Sequence, residues 1–323
     1  TLPYAREFMH IILLGNVFTH LFYGLNAQLR STNRPRLAMY STFGSVFINA
    51  AFCALFIFGF GWGISGAALA TVLAQVSMLC WQIYLFSNKK DPIHLSLDIL
   101  RPHWRIMRES ILIGLPQFLV NSCTALVGII ITRSMAEYGG DTAVGAYGII
   151  NSAALVGFMF MLGIAQGMQP IVGYNYGARA MDRVRQTFKI CSSTNFGIGA
   201  FVTIVAVVAP GLIASLFTSS PEMIEASAHA LRLCLYGFAF VGFQVTATQF
   251  FQSIGFGGKA LLLSLSRQIL FLLPALFLFP LLWGSTGVWL AMPFSDIAAG
   301  GLGMILMYYQ FKIFDRKFGP EGL

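Results

Sequence analysis

Nine runs of about twenty mostly apolar residues fix what this chain can become. They fall at roughly 8–29, 37–58, 66–86, 111–133, 143–168, 188–213, 227–253, 261–282 and 286–311. Each is long enough for a helix to cross a hydrocarbon layer of ~30 Å at ~1.5 Å per residue. None shows the ten-residue alternation of a barrel strand, so the spans read as helices. Composition agrees: 57% of the 323 residues are hydrophobic, 10% are charged, and mean hydropathy is +0.73. A soluble fold of this length needs more polar surface, since soluble domains are about 25% charged. The expected fold class is an all-α polytopic membrane protein.

The net charge of +8 has a place in this topology. Arg30, Arg34 and Arg36 follow the first span, and Lys89, Lys90, Arg101, Arg105 and Arg108 follow the third. Arg179, Arg183, Arg185 and Lys189 follow the fifth; Lys259 and Arg267 follow the seventh; Lys312, Arg316 and Lys317 follow the ninth. The opposite side carries Arg6, Arg133 and Arg232. Basic loops stay on the cytoplasmic side. The chain is therefore expected to sit in the cell (inner) membrane with its C-terminus in the cytoplasm. Bases spread over alternate loops make a topology signal, not a nucleic-acid face. Cys53, Cys80, Cys123, Cys191 and Cys234 lie singly in apolar runs, without metal or redox spacing. No metal or cofactor is expected.

The hydrophilic stretch Ser87–Glu109 mixes Ile99, Leu100, Trp104, Ile106 and Met107 with bases, as an interfacial linker helix would. It divides the chain into residues 1–86, a linker 87–110, and a six-span part 111–323. The two outer parts share a pattern. Trp62-Gly63-Ile64-Ser65-Gly66 precedes Leu69-Ala70, and Trp283-Gly284-Ser285-Thr286-Gly287 precedes Leu290-Ala291, 221 residues later. The same offset pairs Gln28 with Gln249. Spans one to three thus match spans seven to nine in a parallel repeat of the kind transporters use. Spans four to six have no partners in the chain, so the intact protein is expected to carry three further spans ahead of Thr1, in two six-helix lobes.

The most specific stretch is Gly163-Ile164-Ala165-Gln166-Gly167-Met168-Gln169-Pro170-Ile171-Val172-Gly173-Tyr174-Asn175-Tyr176-Gly177-Ala178, at the end of the fifth span. Pro170 and the glycines read as a helix exit. Gly114-Leu115-Pro116 opens the fourth span, and Gly66-Ala67-Ala68-Leu69-Ala70-Thr71 the third. Asn49 lies ahead of Phe56-Ile57-Phe58, Arg267-Gln268 precedes Pro274, and Gly287-Val288-Trp289-Leu290-Ala291 opens the ninth. Together these segments resemble the MATE (multidrug and toxic compound extrusion) family, from its fourth span to its twelfth. Gly163, Gln166, Gln169, Pro170, Gly173, Tyr174, Asn175 and Gly177 carry the signature. The resemblance implies an antiporter that exports organic cations or drugs against inward protons or sodium ions, by rocking two lobes about a central cavity.

Many members carry an acid just after the position of Asn49; here Cys53 stands near that place. No acid lies in the span beginning at Ile111, and none between Ala226 and Gly255. Asp296, three residues after Pro293, is the acid deep within a span and the ion-coupling candidate. It could titrate, pair with a nearby arginine, or cap backbone freed by Pro293.

Polar side chains within spans are expensive and gather at cavities or at one another. Four-residue spacing puts Gln117 with Asn121 on one face, Tyr147 with Asn151, and Gln244 with Thr248 and Gln252; Asn16, His20 and Tyr23 form a similar stripe. They are candidates for a cavity that binds amphipathic cations through neutral acceptors and aromatics. Interhelical hydrogen bonding is the competing role. Arg267 is expected to snorkel toward lipid headgroups. The expected partners are small organic cations and membrane lipids, with no nucleic acid, and the chain is expected to act as a monomer. A flippase for lipid-linked oligosaccharides, of related fold, would need several cavity-facing bases. An intramembrane enzyme would need a metal pair, a Ser–His dyad or paired carboxylates in the spans, and the sequence offers no such constellation.

Overall fold

The computed structural model describes residues 2–32, 34–87, 94 and 103–318. Among them the chain is helical without strands. The part of the linker at 88–93 and 95–102 lies outside the described residues, as do the side chains of Pro116 and Gln117.

Contacts divide the chain into two units, Thr1–Trp104 and Arg105–Leu323. The first holds α1 (Leu2–Ser31), α2 (Pro35–Ala54) and α3 (Gly63–Phe86). α2 runs on into one π-helical turn, Leu55–Gly59. Gly61 and Gly63 then reverse the chain at φ 69° and 54°, conformations open to residues without Cβ. α3 packs on both other helices. Gly15 of α1 meets Val72 so closely that a Cβ would clash with its methyls.

The second unit begins with α4, Trp104–Gly177, a run of 74 residues. At ~1.5 Å per residue this far exceeds one bilayer crossing. Gly140 divides it, with φ 67° and ψ −166°, into two helices that match the expected fourth and fifth spans. α5 (Met181–Val208), the short α6 (Pro210–Ser215), α7 (Pro221–Cys234) and α8 (Phe238–Ser253) follow. α9 (Gly257–Leu265) continues through a π turn, Ser266–Leu272, into α10 (Leu273–Trp283); α11 is Ser285–Phe318. Seven helices are individually long and apolar enough to cross a membrane, and α7 with α8 adds an eighth as a bent pair. Dividing α4 at Gly140 accounts for all nine expected spans among the described residues.

Two expectations about local structure change. The signature segment does not leave the helix at Pro170: α4 continues to Gly177. A proline removes one ladder bond, and a membrane helix absorbs that loss. The turn comes later and uses Arg179, at φ 60°, with Ala180 N–H bonding the Asn175 carbonyl at 2.9 Å. The seventh span is also not one straight helix. It breaks at residues 235–237, and α7 and α8 meet at 54°.

Unit 2 holds two apolar cores. One gathers Val127, Met135, Ile150 and Met161 of α4 around Leu231, Leu235, Phe238, Leu276 and Trp289. The other packs Met168 and Val172 against Phe188, Phe250, Phe251, Leu263 and Phe314. Small residues let helices approach closely: a Cβ on Gly199 would lie 2.6 Å from Ala239 Cα, and Gly242 has no room against the Asn195 carbonyl.

Candidate functional site

The charged centre of unit 2 lies where α11, the π turn and the α7/α8 break meet. Asp296 of α11 is 4% exposed. Arg267, on the π turn, donates from Nε to Asp296 Oδ1 at 2.7 Å. Arg267 therefore does not snorkel. An unpaired carboxylate at this depth would be expensive, and the guanidinium compensates it. The next residue, Gln268, donates from Nε2 to Thr124 Oγ1 of α4 at 2.8 Å.

The third wall of this centre is the break itself. A Cβ on Gly237 would lie 2.9 Å from the Pro293 carbonyl oxygen and 3.1 Å from Asp296 Cβ. Only a glycine lets the broken segment lie so near α11. Pro293 lacks an N–H, so the carbonyl of Trp289, four residues earlier, loses its ladder donor. Cys234 supplies a weak one from its thiol, Sγ to O at 3.7 Å. The Leu235 carbonyl, released by the break, accepts from Thr203 Oγ1 at 2.7 Å. Backbone groups around Asp296 are thus satisfied by other donors, and its carboxylate is held by Arg267.

The other candidates divide by environment. Gln244 is buried and donates to the Leu263 carbonyl at 2.9 Å; Thr248, also buried, donates to the Gln244 carbonyl at 2.9 Å. That places both in helix packing rather than on an open wall. Gln252 is exposed and joins Gln249 in accepting from Gln169 Nε2, at 3.2 and 2.6 Å. Gln169 of the signature thus ties α4 to α8. Asn175, another signature residue, donates to the Ile171 carbonyl at 2.8 Å beside the turn. Gly163, Gln166, Gly167 and Tyr174 are exposed; Gly173 is half-buried. Asn121 and Asn151 are exposed on α4, and Tyr147 packs against the first core. In unit 1 Asn16 is half-buried, while His20 and Tyr23 are exposed. The side chain of Gln117 is outside the description.

Several polar residues were not anticipated. Asn195 is fully buried and donates to the Met161 carbonyl at 3.0 Å and Thr246 Oγ1 at 2.8 Å, tying three helices together. In unit 1 Gln82 donates to Ser41 at 2.7 Å, Asn49 to Thr71 at 3.1 Å, and Thr19 to Gln75. Gln75 had a signal: the 221-residue offset carries it onto Asp296.

Comparison with known proteins adds to this geometry. The MatE family model matches residues 116–277, half of the chain. The multidrug export protein MepA of Staphylococcus haemolyticus is 27% identical over 310 residues, covering 95% of this chain and 68% of that protein. MepA of Staphylococcus aureus is 25% identical over 311 residues, with the same coverage. Among solved structures, an outward-facing multidrug resistance MATE transporter of the MOP superfamily superposes with a TM-score of 0.87 at 22% identity, covering 95% of this chain and 69% of that one. A MOP superfamily transporter from Pyrococcus furiosus, described as having a binding pocket of reversed polarity, also reaches 0.87 at 22% identity, covering 96% of this chain and 70% of that one. At that identity the likeness concerns the fold. The helical order, the Gly163–Ala178 segment and the family match over half the chain agree, and the chain belongs to the MATE family.

Proposed function

We propose that this chain exports organic cations in exchange for an inward proton or sodium ion, by alternating access, in the cell membrane with its C-terminus cytoplasmic. Export is what the names of the MepA relatives describe. The observation that carries the coupling is Asp296, an ionisable group buried among membrane-crossing helices and bound to a single arginine. Such residues are rare in spans and mark ion pathways. A carboxylate held by one guanidinium can exchange that partner for a proton or a sodium ion, which is the elementary step of coupling.

Asn121 and Asn151 in unit 2, and Asn16, His20 and Tyr23 in unit 1, supply the neutral acceptors and aromatic surface that suit amphipathic cations. The Arg267–Asp296 pair argues against the flippase alternative. Arg267 is the base deep in the spans that would serve an anionic pyrophosphate lipid, and its charge is already neutralised.

Dye efflux from cells lacking other pumps tests the reading, with the proton and sodium gradients collapsed separately. Efflux should stop when one of them is removed. Efflux of no organic cation under either gradient would refute antiport.

A further inference from the structure

The seventh span breaks at residues 235–237, and its own sequence does not explain why. No proline lies within the break. Gly237 is there, yet a glycine alone does not break a helix in this fold. The 221-residue offset places residues 235–237 on Leu14, Gly15 and Asn16 of α1. α1 also holds a glycine at this point, and it runs unbroken from Leu2 to Ser31.

The difference lies in the helix packed against each segment. In unit 1, Gly15 faces Val72. The repeat partner of Val72 is Pro293, and Gly237 faces Pro293. The partner of Gln75, a neutral amide bonded to Thr19, is Asp296 bonded to Arg267. Gly300, one turn beyond Asp296, presses on Phe240: a Cβ there would lie 2.7 Å from Phe240 Cβ. Pro293, Asp296 and Gly300 thus form a line along α11 that seats the end of the break and the first turn of α8. At the break the backbone takes three-residue bonds, Phe238 N–H to the Leu235 carbonyl at 3.1 Å and Phe240 N–H to the Gly237 carbonyl at 3.0 Å. The bend is thus held by packing from a neighbouring helix, in a segment whose repeat partner is one unbroken helix, and such an element can switch when that packing is lost.

We infer that the α7/α8 break is a switchable hinge, that α11 clamps it in its bent form, and that the Arg267–Asp296 pair is the latch of the clamp. Arg267 is a positioning residue here: it holds Asp296 against the Gly237 backbone. The titratable or charged groups facing Asp296 are Arg267 from the π turn and Cys234 from α7, which shares its electrostatic field; α8 and α10 contain none. When Asp296 loses its charge or its partner, the clamp loosens and the seventh span straightens. The hinge stands on packing alone. Only its use in coupling, where the arriving ion would displace Arg267, rests on the antiport reading.

Pulsed EPR on the whole chain tests the hinge directly. Spin labels go on Glu222→Cys and Gln252→Cys, exposed at the two ends of the broken span, with Cys53, Cys80, Cys123 and Cys191 replaced. Segments of 14 and 16 residues at 54° should gain roughly 5 Å in end-to-end distance on straightening, at ~1.5 Å rise per residue. Asp296→Asn and Arg267→Gln should each shift the distribution to the longer distance, and the exchanged pair Asp296→Arg with Arg267→Asp should return it. Unchanged distances in both single variants would overturn the hinge. If a single variant does not fold, the exchanged pair decides: failure to restore the fold and the wild-type distance overturns the latch. Efflux plays no part in these readouts, so the hinge and the antiport reading fail separately.

Discussion

Helices α1 to α3 and the segment α7 to α11 are two renderings of one pattern, and they differ at a position where unit 1 has the half-buried Gln75 and unit 2 the buried Asp296. Both place a glycine at positive φ where the last helix starts, Gly63 at φ 54° as its first residue and Gly284 at φ 56° just ahead of it. Both insert a glycine of that last helix under the preceding one: Gly66 beneath Phe56, and Gly287 beneath the carbonyl of Phe279. The backbone devices are therefore shared. In the first unit, however, Gln75 accepts a hydrogen bond from Thr19 and the neighbouring helix is unbroken; in the second, Asp296 accepts from Arg267 and the neighbouring helix is broken. On a shared scaffold, the repeat thus carries an ion pair in unit 2 where unit 1 has a neutral hydrogen bond.

This asymmetry predicts unequal responses to substitution. The largest effect should come from Arg267→Gln, which leaves a buried carboxylate without its counter-charge; removing one partner of a buried pair costs about 3–5 kcal/mol. The matching lesion in unit 1, Thr19→Val, removes a neutral hydrogen bond and should cost about 1 kcal/mol. Thermal unfolding of the detergent-solubilised protein, followed by tryptophan fluorescence, ranks the two. Equal losses would mean that the ion pair is no more important to the fold than the amide bond.

The next comparison concerns the shared glycines. A Cβ on Gly287 would collide with the backbone of Phe279 and Pro280, which cannot rotate away. A Cβ on Gly66 would meet Phe56 and Trp62 Cβ atoms at 3.0 and 3.1 Å, a milder crowding. Gly287→Ala should therefore cost about 1–3 kcal/mol by overpacking, and Gly66→Ala less. The same unfolding measurement sharpens the comparison, and the reverse order would break it.

The sequence carries much of the architecture because apolar length and loop charge act locally. Nine spans, the glycines Gly63 and Gly284 of the repeated turn, and the repeat itself can all be read without knowing what packs where; the turn at Gly140 comes from the structure. The break at 235–237 cannot. Leu14-Gly15-Asn16 and Leu235-Tyr236-Gly237 offer similar local propensities, and the outcome is decided by Val72 or Pro293 on another helix. Pro170 misleads in the opposite direction: it signals an exit, while the bonds around it hold α4 helical to Gly177. The candidate site shows the same split. Asp296 stands out as the acid deep in a span, yet its partner Arg267, 29 residues earlier, reads as an interfacial base until the π turn directs it inward. Gln244 and Thr248 read as a cavity stripe because periodicity reports a shared face, not what covers that face.

Proteoliposomes provide the most direct test of the proposed coupling through Asp296. Ethidium transport is driven in turn by an imposed proton gradient and an imposed sodium gradient, for the wild-type chain and for Asp296→Asn. Wild type should move dye under one gradient, and the variant should bind dye but lose the gradient dependence. Transport by Asp296→Asn with undiminished response to the same gradient would contradict coupling through this residue.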